Sequence, residues 1–157
     1  MNDINALYQD AIKQFAHADH GRGQLADATG EAKLDNPLCG DRVRMQVAVA
    51  SGHIAAIAHE TKGCLLCRAA ASLIGSRATG QDQAAIEAVV AALDDMLKDG
   101  APGPSAWPEL SMFAPARAYP SRHRCVLLPF QALLAALRNP AVPDQKLGAG
   151  DTAIPPA

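Results

Sequence analysis

Aromatic residues are scarce in this chain, whose 157 residues include one tryptophan, two tyrosines and three phenylalanines. Nearly half of the residues are nevertheless apolar, so Ala, Leu, Ile and Val must fill the core. Small side chains of this kind favour closely packed helices. The length suits one domain that buries a core without disulfide or metal staples. We therefore expect a single, helix-rich domain.

The sequence also lacks a strong excess of either charge and any long apolar run. Its formal net charge is −2 and its basic residues are scattered, which argues against the cationic surface that nucleic acids require. No stretch approaches the roughly eighteen consecutive apolar residues of a membrane span. Residues 1–5 lack the basic and apolar regions of a signal peptide. We expect a cytoplasmic protein that binds neither nucleic acid nor a membrane.

Hydrophobic periodicity predicts a helix and a β-hairpin in the first half of the chain. Apolar residues recur at helical spacing over residues 3–17. Residues 20–35 are polar and aperiodic, which predicts an exposed, mobile loop. Residues 43–50 alternate like a half-buried strand, and residues 53–60 form its antiparallel partner across a tight Ser-Gly turn. Pairing of these strands brings the segments that flank them together.

The second half of the chain is predicted to be mainly helical. The expected elements are, in order, a buried alanine-rich helix from Cys64 to about residue 78, an amphipathic helix from Ile86 to about Gly100, a short helical turn over residues 107–112, an irregular stretch over residues 114–121 and a helix from about Cys125. Pro129 suits the last helix because it falls in the first turn or so.

Together these elements predict an α+β fold in which helices pack on one face of a small antiparallel sheet of about three strands. We expect one domain over residues 1–138. Residues 139–157 contain four prolines and few apolar residues, so this C-terminal tail is predicted to be disordered.

The four cysteines are the most informative residues for chemistry. In a reducing compartment they are better explained as metal ligands or reactive thiols than as disulfides. The hairpin brings Cys39 and Cys64 to the same end of the sheet, and Asp41 can point to the same side as Cys39. Cys64 and Cys125 each occupy a predicted helix start, where the helix dipole stabilises a thiolate. The four residues form a candidate zinc or iron site.

Two further features admit more than one interpretation. Cys64 and Cys67 form a Cys-x-x-Cys pair, which is typical of thioredoxin-like redox proteins, but a hairpin precedes it here instead of a βαβ unit. Cys67 is either a small core residue or a spare thiol beside the metal. His123 is an outer hydrogen-bond donor, an alternative ligand or a solvated residue. The other histidines, His59 among them, are expected at the surface.

Three segments carry a family resemblance: Asn36-Pro37-Leu38-Cys39-Gly40-Asp41-Arg42-Val43, then Lys62-Gly63-Cys64, and finally Tyr119-Pro120-Ser121-Arg122-His123-Arg124-Cys125. In this order they resemble the three motifs of the IscU, NifU N-terminal and SufU family of iron–sulfur cluster assembly proteins. The resemblance covers about residues 3–138. The SufU branch is the more similar one, because an extra stretch lies around residues 99–114, Arg124 stands where IscU proteins have a histidine, and Arg122 precedes the last cysteine by three residues.

The resemblance implies that Cys39, Asp41, Cys64 and Cys125 bind Zn²⁺, and that Cys39 accepts sulfur as a persulfide from a SufS-like cysteine desulfurase. Arg122 would pair with a thiolate or with Asp41 when a ligand is exchanged. The sulfur would then pass to a downstream iron–sulfur scaffold or apo-protein.

Two other functions are compatible with the same motifs. The protein could be a scaffold that binds iron or a [2Fe–2S] cluster through Cys39, Cys64 and Cys125. It could also be a structural zinc domain that only binds proteins. The motifs leave open whether it acts as a sulfurtransferase-like enzyme or as a non-enzymatic scaffold.

Overall fold

The computed structural model describes residues 9–139. Its elements are, in chain order, α1 (Asp10–Ala18), β1 (Gly30–Asn36), β2 (Asp41–Ala50), β3 (His53–Lys62), α2 (Leu65–Arg77), α3 (Gln83–Asp99), a 3₁₀ segment (Pro108–Ala118) and α4 (Pro120–Arg138). The start of the helix predicted over residues 3–17 and the tail predicted to be disordered from residue 140 onward lie outside the described residues. Within the described part, no helix combines the length and apolarity needed to cross a membrane.

The three strands form an antiparallel sheet in the order β1-β2-β3. Because side chains alternate along a strand, β2 directs Asp41, Val43, Met45 and Val47 toward the core, and all four are buried. The register aligns Asn36 with Asp41 across β1 and β2, and Arg42 with Lys62 across β2 and β3. The sheet therefore brings the ends of all three strands together beside the β1–β2 turn.

The helices cover the apolar face of this sheet. Helix α4 packs against β1 and β2, α2 packs against β3, α1 lies on α2, and α3 lies on α4. The buried side chains are mostly aliphatic or alanine, as the scarcity of aromatic residues requires. The predicted α+β fold, with helices on one face of a small antiparallel sheet, is confirmed.

The prediction of a loop over residues 20–35 is wrong for most of this segment. Gly30–Asn36 is strand β1, and residues 21–23 pair with the outer edge of β3, where the Gly23 N–H donates to His59 O at 2.9 Å and the His59 N–H donates to Gly21 O at 2.9 Å. The polar composition of residues 20–35 gave no sign of this ordered structure, because the residues that stabilise it are distant in sequence. Backbone hydrogen bonds hold the segment at both ends, to β3 near residues 21–23 and to β2 along β1.

His59 is buried, contrary to the prediction of a surface histidine. Its Nε2 lies 2.8 Å from His20 O, and its Nδ1 lies 2.9 Å from the Thr61 hydroxyl. Burial lowers the pKa of His59, so the ring is neutral at physiological pH. Two local polar partners thus allow this histidine to enter the core face of β3.

Helix α4 begins five residues before the predicted start, with Pro120 at its first position. Proline suits that position because its missing N–H has no partner in the first turn. Cys125 consequently lies inside the helix and not at its start, and Pro129 lies well beyond the first turn. The predicted positions of these two residues within the helix were therefore wrong. The stretch predicted to be irregular over residues 114–121 is divided between the 3₁₀ segment and the start of α4.

Candidate metal centre

A short turn presents Cys39 at the end of the sheet. The backbone N–H groups of Cys39 and Gly40 both donate to Asn36 O, at 3.2 and 2.8 Å. Gly40 adopts a left-handed conformation with φ of +73°, which glycine reaches without steric cost. The turn leaves Cys39 exposed to solvent, and it is the only exposed cysteine of the four in the chain.

Asp41 lies behind Cys39 and is almost completely buried. Its Oδ1 accepts a hydrogen bond of 3.1 Å from the Cys64 N–H. Its Oδ2 is buried and has no hydrogen-bond partner among the described residues. A buried carboxylate oxygen without a partner is costly, and a bound cation would satisfy it.

Gly63 makes room for this carboxylate. A Cβ atom at residue 63 would lie 3.0 Å from Asp41 Cγ and closer still to Oδ1. Any other residue would therefore displace Asp41 or the β3–α2 connection. The glycine between Lys62 and Cys64 has a steric role, which the residue pattern alone did not reveal.

The remaining two cysteines come from the helices. Cys64 is half-buried and caps the N-terminus of α2, whereas Cys125 is buried in the second turn of α4. The Cys125 thiol approaches Cys39 Sγ at 3.6 Å. The ligand atoms of Cys39, Asp41 and Cys125 all lie within 4.8 Å of one another. Cys64 lies outside this group of three, although its backbone N–H is hydrogen-bonded to Asp41.

The site favours negative charge on Cys64. A hydrogen bond from the Cys125 thiol lowers the pKa of Cys64, and the backbone N–H groups of Cys67 and Leu66 act in the same direction. The nearby Cys64 sulfur raises the pKa of Cys125, and burial and the Asp41 carboxylate act in the same direction. Negative charge in this pair is therefore favoured on Cys64. A thiolate and a carboxylate at one site attract a cation.

The donor set suits zinc or iron. Three sulfur atoms and one carboxylate oxygen are ligands that both metals accept, and four ligands complete a tetrahedral zinc site. The buried, unpartnered Oδ2 of Asp41 and the close approach of three ligand atoms are the observations that fit a metal.

The other residues singled out in the sequence have different positions relative to this group. Arg122 is half-buried in the first turn of α4, three residues before Cys125 and therefore on the same side of the helix. His123 Nε2 is 3.2 Å from Arg117 O, so its ring is directed to the 3₁₀ segment. Cys67 is completely buried in the core, and burial raises its pKa, which keeps the thiol protonated and unreactive.

Comparison with known proteins identifies the family of this chain. Residues 7–112 match the sequence profile of the family described as NifU-like N terminal domain. The chain belongs to this family. The resemblance inferred from the three motifs is thereby confirmed.

Individual relatives extend the match beyond the profile. The chain is 26% identical to the iron-sulfur cluster assembly scaffold protein IscU of Thermotoga maritima, over 85% of this chain and 94% of that protein. It is 23% identical to the zinc-dependent sulfurtransferase SufU of Bacillus subtilis, over 83% of this chain and 89% of that protein. A crystal structure of a nitrogen-fixing NifU-like protein (N-terminal) from Brucella abortus has a TM-score of 0.83 and 31% identity, and covers 86% of this chain and 94% of that one.

Proposed function

We propose that this protein acts in iron–sulfur cluster assembly as a zinc-dependent sulfur acceptor. It takes sulfur from a cysteine desulfurase of the SufS type as a persulfide on Cys39 and passes it to a scaffold or apo-protein. The observation that carries the proposal is the unequal exposure of the cysteines: Cys39 is open to solvent, while Cys64 is half-buried and Cys125 is buried. A donor protein can therefore reach one thiol of the site directly.

The transfer step needs no external oxidant. The Cys39 thiolate attacks the outer sulfur of the donor persulfide, a new sulfur–sulfur bond forms on Cys39, and the donor cysteine leaves as a thiolate. Zinc, when bound, keeps its cysteine ligands deprotonated at neutral pH. Asp41, Cys64 and Cys125 are the residues that would retain the metal while Cys39 reacts.

Arg122 would act as the exchange partner during this step. Its position one turn before Cys125 brings a permanent positive charge to the side of α4 that faces the site. A guanidinium favours sulfur as an anion and can pair with Asp41 when the ligands rearrange.

A scaffold for [2Fe–2S] assembly is the second candidate. Three cysteines at one site can hold iron as well as zinc, and the relative from Thermotoga maritima is named as a scaffold. A purely structural zinc domain is less compatible with the site, because such centres are closed and Cys39 is exposed.

Metal content and colour separate the first two functions. We expect anaerobically purified protein to be colourless and to contain one equivalent of zinc, and to form no stable cluster after reconstitution with iron and sulfide. Mixing it with the desulfurase and cysteine should add the mass of one sulfur atom to the peptide that contains Cys39. A stable visible chromophore with two iron atoms per chain would favour the scaffold instead.

Leu38 is expected to contact the donor protein. This side chain precedes Cys39 and is 91% exposed, so it would meet any protein that reaches the thiol, and burial of such a residue can dominate binding. Leu38→Ala should weaken desulfurase binding about tenfold, measured by calorimetry. The matched control is Val49→Ala, because Val49 is the other exposed large apolar residue of the described chain and lies near the opposite end of β2.

The Leu38→Ala protein should still bind zinc and react with a small persulfide donor at the normal rate, since neither property needs the protein contact. Equal weakening by Leu38→Ala and Val49→Ala would contradict a specific contact at Leu38.

A further inference from the structure

Two buried oxygen atoms without partners lie on opposite residues of the sheet. Within the described chain, the buried side-chain oxygens that lack a hydrogen bond include Asn36 Oδ1 and Asp41 Oδ2. Asn36 and Asp41 are aligned as the last pair of β1 and β2, where the turn begins. Aligned residues of an antiparallel pair direct their side chains to the same face, with Cβ atoms about 5 Å apart. The two residues with unpaired oxygens are thus neighbours on one face of the sheet.

Two acceptors cannot satisfy each other, but the asparagine amide offers a simple solution. Its oxygen and nitrogen exchange positions when the amide group makes a half-turn, and only the hydrogen-bond network decides between the two orientations. With nitrogen in the place of oxygen, Asn36 has an N–H donor on the face that it shares with Asp41. That donor would satisfy Asp41 Oδ2, as is expected of buried polar groups.

We propose that Asn36 is a positioning residue that donates a side-chain hydrogen bond to Asp41 Oδ2 and so orients this carboxylate for the metal. The inference rests on the proposed function in one respect, which is that Asp41 is a metal ligand. Oδ1 is already held by the Cys64 N–H at 3.1 Å, and Gly63 packs against the same carboxylate. The Asn36 amide would fix the second oxygen, which still has a lone pair for the metal.

The side chain and backbone of Asn36 have separate tasks. The backbone carbonyl accepts the hydrogen bonds from Cys39 and Gly40 that shape the turn, and these bonds remain when the side chain is replaced. Hydrogen bonds to ligating carboxylates typically change metal affinity by 10- to 100-fold. Substitution of Asn36 therefore tests the orientation of Asp41 without removing the turn that carries Cys39.

The test is a double-mutant cycle on zinc affinity, measured by competition with a chromophoric chelator. Asn36→Ala should weaken zinc binding about 10- to 100-fold, and Asp41→Ala should weaken it at least as much. In the double variant we expect the affinity of Asp41→Ala alone, because Asn36 then has no ligand to orient. Asn36→Asp has nearly the same shape but no donor, and should weaken binding at least as much as Asn36→Ala.

A control comes from the neighbouring pair of residues on the opposite face of the sheet. Asp35 and Arg42 are also aligned and form a hydrogen bond of 3.0 Å, but both are exposed. Asp35→Ala should leave zinc affinity within about twofold, since exposed pairs contribute little. The thermal midpoint of each metal-free variant shows whether a general loss of stability accompanies the change in affinity.

Additive effects in the cycle, unchanged affinity in Asn36→Ala, or full retention of affinity in Asn36→Asp would each overturn the inference. An unaltered affinity in Asp41→Ala would do so as well, because no ligand would then need orienting. Zinc binding is measured without a desulfurase, so the proposed sulfur transfer can fail while coupling between Asn36 and Asp41 persists. Conversely, if sulfur transfer is normal but the effects of the two substitutions on zinc affinity are additive, only the role of Asn36 is refuted.

Discussion

Cys39→Ala is expected to lower sulfur acceptance by about two orders of magnitude or more, because it removes the attacking nucleophile. The protein is mixed with desulfurase and cysteine, and the mass gain is mapped to individual peptides. Stimulation of the desulfurase should fall in parallel. The other sulfur atoms are poor substitutes, since Cys64 and Cys125 are shielded from a protein donor.

Cys67→Ala is the matched control for this experiment. Cys67 is completely buried, and burial raises its pKa, so its removal should leave the transfer rate within about twofold. Because Cys39 is also a proposed zinc ligand, Asp41→Ala serves as a second control that removes a ligand but keeps the acceptor thiol. Full desulfurase stimulation by Cys39→Ala, or a mass gain on another cysteine, would show that the acceptor is assigned to the wrong residue.

Gly75→Ala is expected to destabilise the fold by about 3 kcal/mol. Glycine to alanine inside a helix normally stabilises by about 0.5–1 kcal/mol, and Gly75 lies inside α2. Here, however, a Cβ atom would lie 2.9 Å from Gly21 N and closer to the carbonyl of His20. That backbone cannot retreat easily, because hydrogen bonds to His59 hold it on β3. The steric cost therefore exceeds the gain in helix propensity.

Urea unfolding of the metal-free protein measures this effect. Ser76→Ala is the control, since Ser76 is the next residue of the same helix and is exposed; its stability should change by less than about 0.5 kcal/mol. Hydrogen exchange should also accelerate at residues 21–23 in Gly75→Ala if the contact with α2 holds this segment. An unfolding midpoint above that of the unmodified protein would mean that the close approach at Gly75 has no energetic importance.

The sequence predicted the hairpin and the helices well because their patterns are local. Strand β2 alternates so regularly that its core face could be assigned directly. Strand β1 escaped prediction because its apolar residues are few and its charged side chains find partners on another strand: Glu31 pairs with Arg44 at 2.8 Å, and Asp35 pairs with Arg42. Cross-strand partners of this kind cannot be recognised before the register is known.

The candidate metal centre was likewise predictable only where it depends on local sequence patterns. The approach of Asp41 to Cys64 follows from the pairing of the two predicted strands β2 and β3. The position of Cys125 does not, because the sequence signals placed the start of α4 five residues too late. Asn36 was visible as part of a motif, but its relation to Asp41 depends on the pairing of β1, the strand that was missed.

Both edges of the sheet are partly covered, which limits how other proteins can bind. Residues 21–23 occupy part of the outer edge of β3, and Asn139 O accepts a hydrogen bond from the Glu31 N–H on the outer edge of β1. Partners that lengthen a sheet need a row of free backbone groups along such an edge. A strand-mimicking peptide should therefore be a poor inhibitor of this protein. A molecule designed to block it would do better to cover the exposed β1–β2 turn, where Leu38 and Cys39 lie.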